Sequence, residues 1–145
     1  MLILFCLPIL LFGQNALIIG EWYNAEKDAV ITIFEEKANS NEKATIAGKI
    51  SWMKESIDEK GNPKTDNLNP DEKLQKRKTL GLKILYGFIN KGDNVWKNGE
   101  VYDPKKGKPY GGKITLRGEN KLDLRGHLLW FPLIGRRSTW TRKIN

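Results

Sequence analysis

Two carboxylates, Asp66 and Asp103, are the side chains of this 145-residue chain best suited by type to carry a reaction. Held about 5–9.5 Å apart in one cleft, they would form the carboxylate pair of a glycosidase-like hydrolase. Polar groups accompany them: Asn69 and Arg77 follow Asp66, Tyr102, Lys108 and Tyr110 bracket Asp103, and Arg125 comes later. Converging on apolar walls, the same groups would make a recognition site without chemistry. The single histidine, His127, alternates with Asp123 and Arg125, but no second histidine or suitably spaced serine supports it as a general base. Asp66, Asn69 and Asp71 offer hard oxygen ligands but lack the spacing and glycine of a calcium loop, so no metal site is expected. The stretch Asp103 to Lys108 lacks the Gly-x-x-x-x-Gly-Lys-Ser/Thr spacing of a phosphate loop and reads as a proline turn with solvated lysines. No cofactor is implied.

The first 14 residues carry no charge, whereas the rest hold all 25 Lys/Arg and 17 Asp/Glu and the net charge of +8. Leu2 to Phe12 is apolar apart from Pro8. As a helix it would span only about 16 Å, against about 30 Å of bilayer hydrocarbon, but it suits the core of a secretory signal. Residues 1–16 are therefore expected to be a signal peptide and 17–145 the folded domain, in the periplasm or outside the cell and without a transmembrane helix. No basic residue precedes the run and the small-residue cleavage pattern is weak; the alternative is a buried strand or core helix. Cys6 lacks the small preceding residues of a lipid-anchor site, and removal of the leader would leave no cysteine for a disulfide or thiol site.

Beyond Gly20 the apolar pattern has period two, as half-buried antiparallel strands require. Ile46, Gly48, Ile50 and Trp52 share one face; Leu80, Leu82, Ile84, Tyr86 and Phe88 another; Leu122, Leu124, Gly126, Leu128 and Trp130 a third. Eight strands are expected near 19–24, 28–36, 44–54, 80–89, 94–102, 110–118, 121–130 and 136–143. Short links favour a meander, and closure into a small up-and-down barrel would remove its exposed edges. The exception is Glu55 to Thr79, expected to be a loop followed by a short helix. Asn69 would cap it, Pro70 would open it, Glu72 would complete a capping box, and Lys76, Arg77 and Lys78 would sit at its far end, making a lid over the barrel mouth.

The punctuation carries a resemblance: Gly20-Glu21-Trp22, Asp66-x-x-Asn69-Pro70, Arg77-x-x-Leu80-Gly81, Trp96-x-x-Gly99-x-x-Tyr102-Asp103-Pro104-x-x-Gly107-Lys108-x-Tyr110, Leu124-Arg125-Gly126, Gly135-Arg136 and Trp140-Thr141-Arg142. The chain resembles the domain-of-unknown-function 2147 family of small exported bacterial proteins over about Gly20 to Lys143. That resemblance implies a lipocalin-like (calycin) barrel and carries no settled activity. A Gly-x-Trp on the first strand and an arginine on the last recur in such barrels. Closure would bring Arg142 or Arg136 over Trp22, with Gly20 and Trp140 as structural neighbours, for a cation–π contact of about 0.5–2 kcal/mol.

Charge is unevenly placed. Residues 15–75 carry 8 basic and 12 acidic groups, and residues 76–145 carry 17 and 5. The basic groups are scattered along strands without stacking aromatics, which favours an anionic envelope component or ligand over nucleic acid. The leading expectation is a monomeric, non-enzymatic barrel binding a small, lipid-like or anionic ligand. Trp52, Tyr86, Phe88 and Trp130 would be its walls, and Asp66, Asn69, Arg77, Tyr102, Asp103, Lys108, Tyr110 and Arg125 its polar groups. The alternatives are an envelope structural or interaction protein with a side-chain-filled barrel, and a hydrolase using Asp66 and Asp103.

Overall fold

The computed structural model describes Gly13, residues 15–37, Asn39, residues 41–128 and residues 131–145, with residues 131–134 described by backbone alone. The leader through Phe12, with Cys6, and the expected wall residue Trp130 lie outside the described residues. Eight antiparallel strands close into a barrel in chain order. They are β1 (Gly20–Tyr23), β2 (Ala29–Glu36), β3 (Thr45–Met53), β4 (Lys83–Asn90), β5 (Val95–Asp103), β6 (Lys108–Arg117), β7 (Lys121–Leu128) and β8 (Phe131–Arg142). The main departure in boundary is β8, which begins at Phe131 and not near residue 136.

Period-two alternation sends one face of each strand inward. Trp22, Ile33, Ile46, Leu85, Trp96 and Leu122 belong to one buried cluster. The strand glycines make room in this core. The Phe88 ring lies against Gly99 and Gly112, which are cross-strand partners, and a Cβ on either would overlap the ring. In β4 the expected single face of Leu80 to Phe88 does not form. Leu80 is exposed, the strand starts only at Lys83, and Gly87 at φ 63° breaks the alternation. Leu85 and Phe88 are therefore buried together, while Tyr86 is only half-buried. Trp52 is also no interior wall: it is exposed, and its ring meets Tyr23 edge-on at 6.4 Å.

The seam pairs Trp22 with Arg142 and Tyr23 with Thr141. The Arg142 guanidinium carbon stands 4.2 Å from the Trp22 ring centroid. The same side chain donates to the carbonyls of Leu17 at 2.5 Å, Ile19 at 3.1 Å and Glu119 at 2.7 Å. Trp140 is buried beside this seam, opposite Leu122, and Arg136 lies elsewhere, opposite Gly126. Residues ahead of β1 pack into the barrel as well. Ile18 is buried and its carbonyl accepts from Trp22 Nε1 at 2.9 Å. Asn15 is buried, accepting from Trp96 Nε1 at 2.8 Å and donating to Glu35 at 2.9 Å.

The expected helix after Asn69 is replaced by turns. The bonds there are Leu74 N–H to Asp71 O, Gln75 N–H to Glu72 O and Arg77 N–H to Leu74 O, each three residues back. Local side-chain bonds compete with helix formation. Asn69 Oδ1 does take the Asp71 amide as a cap would. The Asn69 backbone amide, however, goes to the Asp66 carbonyl and not to Glu72, so the capping box is not completed, and Asp71 Oδ1 turns the chain again by taking the Lys73 amide. So short a segment also recovers little of the cost of nucleating a helix.

Two substitutions probe this packing. Gly99→Ala should cost about 1–3 kcal/mol through overpacking, and Phe88→Leu in the same chain should recover part of it, as read from urea midpoints. Arg142→Lys keeps the charge but loses the planar fork, and should lower stability by about 1–3 kcal/mol in the same assay.

Candidate functional site

Segment 55–79 reaches Tyr102 of β5 through a single buried carboxylate. Asp66 is wholly buried. Its Oδ1 accepts the Tyr102 hydroxyl at 2.6 Å, and its Oδ2 accepts Asn69 Nδ2 at 2.8 Å and Arg77 Nε at 2.9 Å. A second guanidinium nitrogen of Arg77 lies 2.8 Å from Oδ2, and the guanidinium carbon sits 5.6 Å from the Tyr102 ring centroid. Asn69 Nδ2 also donates to the Tyr102 oxygen at 3.0 Å. The backbone supports the arrangement, because the Asp66 amide bonds to the Arg77 carbonyl at 2.9 Å. Four of the expected polar residues thus meet, but they satisfy one another. Asp66 turns no free oxygen toward a substrate, so the hydrolase reading finds no usable first carboxylate. Burial, reinforced by the hydrogen bond to Asp66, pushes the Tyr102 hydroxyl up to about 12.

Asp103 belongs to the β5–β6 turn, where its Oδ1 accepts the Lys105 amide at 2.9 Å. Lys105 in turn reaches Asp28 at 3.0 Å. Gly107, at φ 65°, lies so close to the Leu68 carbonyl that any Cβ would collide with it, which docks the turn on segment 55–79. Lys108 pairs in register with Asp103 and is exposed, and Tyr110 pairs with Val101 and is half-buried. Of the expected walls, Phe88 fills the interior, while the Tyr86 ring lies 5.0 Å from Lys83 Nζ and its hydroxyl donates to the Lys83 carbonyl at 2.7 Å.

Arg125 stands apart from the other candidates. It opposes Lys113 of β6 on one side and Arg137 of β8 on the other. Here the barrel surface bears an open groove of about 410 Å³ lined by Lys97, Asn98, Gly99, Gly111, Gly112, Lys113, Arg125 and His127. A smaller hollow of about 80 Å³ shares Lys113 and Arg125 and adds Thr115, Arg117, Asp123 and Arg137. The His127 ring lies over Gly111, where a Cβ would strike it. Asp123 is buried beneath the rim, 2.6 Å from Arg117 and 4.0 Å from Arg137, and accepts from Thr139 Oγ1 at 2.8 Å. Sequence reasoning singled out Arg125 but missed Lys97 and Lys113. Their signal was present as charged residues on the polar face of apolar-alternating strands, but only the strand register puts them in one row.

An eight-stranded closed meander, apolar inside with this charged groove outside, defines a lipocalin-like barrel. The chain belongs to the family described as an uncharacterized protein conserved in bacteria (DUF2147), whose profile matches residues 20–142. Its fold is similar to that of a solved Helicobacter pylori protein, described as "Protein HP1028 from the human pathogen Helicobacter pylori belongs to the lipocalin family". The two share 22% identity at a TM-score of 0.71, covering 88% of this chain and 83% of the other. No curated protein matches the chain.

The Tyr102 shift has a readable consequence. Because its folded-state pKa of about 12 lies above the ordinary value of 10.0, its stabilising contribution is complete below pH 10 and fades as pH rises through 12. Tyr102→Phe should cost about 1.5–3 kcal/mol at pH 8, the scale of a hydrogen bond to a charged group. The gap between wild type and variant should shrink steadily from pH 10 to pH 12 in urea unfolding; a constant gap would contradict the assignment.

Proposed function

We propose that this protein is a non-enzymatic binding barrel of the bacterial envelope whose ligand is anionic and docks on the outer β5–β8 surface. The observation that carries this reading is the 410 Å³ groove, whose lining holds Lys97, Lys113, Arg125 and His127 and no carboxylate. The interior gives less support to a lipid-like guest, since Trp22, Phe88, Trp96 and their neighbours occupy it without exposure. The Asp66–Tyr102–Asn69–Arg77 network serves as a support that holds the long connection in place, and Asp103, Lys108 and Tyr110 shape the adjoining turn. Export is proposed from the uncharged leader. The bonds of Asn15 to Trp96 and Glu35 support a cleavage ahead of Asn15 over the boundary expected after residue 16. Among the described residues no helix is long and apolar enough to cross a membrane.

The filled core also favours a second reading, an envelope interaction protein without a small ligand. Native mass spectrometry of the protein purified from its own envelope fraction should show copurified anionic mass that high salt removes. A neutral apolar probe such as N-phenylnaphthylamine should show no saturable uptake. Purification without bound mass at low salt would select the interaction reading, and saturable uptake of the neutral probe would return the ligand to the interior.

A further inference from the structure

Resting on the reading of an anion-binding outer surface, we propose that Lys97, Lys113, Arg125 and Arg137 form one cross-strand row that binds a ligand carrying two or more phosphate groups, with Arg125 at its centre. Register places these side chains together. Lys113 opposes Arg125 and Arg125 opposes Arg137, while a bulge between Trp96 and Gly99, with Asn98 at φ 61°, sets Lys97 and Asn98 against Lys113. Neighbouring strands run about 4.8 Å apart, so the row extends over about 15 Å and presents a cation at each step.

Like charges placed directly opposite one another destabilise a sheet. Elsewhere on this barrel cations are neutralised: Lys83 by Glu36 at 2.6 Å, Lys143 by Glu21 at 3.0 Å and Arg117 by Asp123 at 2.6 Å. Among the described residues Lys97, Lys113 and Arg125 have no carboxylate within ion-pair distance, and Arg137 has only Asp123 at 4.0 Å, which Arg117 holds more closely. Glu100 stands opposite Gly111 in the adjoining row, outside the groove lining. The groove floor is equally suited to an oxyanion. Gly99, Gly111 and Gly112 contribute no side chains to it, and Phe88 fills the space behind Gly99 and Gly112 from the other face. A guanidinium fork matches phosphate geometry with two parallel hydrogen bonds, whereas lysines act as flexible point charges. A single phosphate would engage one or two members of the row; two or more phosphates would engage its length.

The test uses the whole folded protein with inorganic tripolyphosphate and orthophosphate by calorimetry, and with vesicles of cardiolipin or of phosphatidylcholine by flotation. Tripolyphosphate should bind saturably at 50 mM salt and at least tenfold more tightly than orthophosphate. The pair Lys113→Gln and Arg125→Gln should weaken it at least tenfold. Lys60→Gln with Lys76→Gln, which removes the same charge from exposed positions of segment 55–79, should change it less than twofold. Flotation with cardiolipin but not phosphatidylcholine, lost in the groove variant, assigns the phosphates to a lipid headgroup; tripolyphosphate binding without flotation assigns them to a free ligand. Without ligand, the groove variant should melt at the same or a higher temperature than wild type, because repulsion is removed. Equal weakening in both double variants, no saturable tripolyphosphate binding, or a lower melting temperature in the groove variant would overturn the row. If anionic mass still copurifies in that event, the binding-barrel reading stands and only the row falls; if none does, both fall.

Discussion

The barrel depends on its shortest seam. β1 has four residues, and only Trp22 and Tyr23 of it are paired to β8. So few ladder bonds are a weak fastening, and an open β1–β8 junction would leave two sheet edges ready to pair with other chains. Arg142 supplies the missing cohesion through its shape. Its guanidinium covers the Trp22 ring and donates to carbonyls from two other places, the entering segment at Leu17 and Ile19 and the β6–β7 turn at Glu119. Gly20 makes this approach possible, since a Cβ there would crowd the guanidinium at 3.0 Å. One side chain thus ties together the entry, the first strand, a distant turn and the last strand.

A second constraint organises the one long connection. A buried carboxylate is tolerated only when cationic and hydrogen-bonding partners compensate its lost hydration. Asp66 meets that demand with Tyr102, Asn69 and Arg77, and in doing so fixes segment 55–79 against β5. The residues that looked most like reaction groups are therefore fold-determining. Asn69 joins the network through its side-chain nitrogen, bonded to Asp66 and Tyr102, while its oxygen takes the Asp71 amide and shapes the turn that follows.

Together these features divide the molecule. Aromatic and aliphatic side chains close the interior, and strand glycines admit Phe88 across it. Capacity for recognition then lies on the outside, where the alternation that buries Ile114 and Leu124 leaves Lys113 and Arg125 exposed on the opposite face of the same strands.

Composition and period-two alternation alone determined an all-β chain, eight strands and a meander, because alternation is local and turn residues punctuate it. Chain order also places Arg142 near Trp22 once the barrel closes. Local pattern could not reveal Gly87 as a break in β4, since a glycine in a strand does not announce its φ. Nor could it foresee that Asn69 joins Tyr102, a partner 33 residues away. The groove was least legible. Lys97, Lys113, Arg125 and Arg137 are far apart in the chain, and a shift of one residue in register would send each to the other face. Which residues alternate is written in the sequence; which of them stand side by side is decided only when the strands pair.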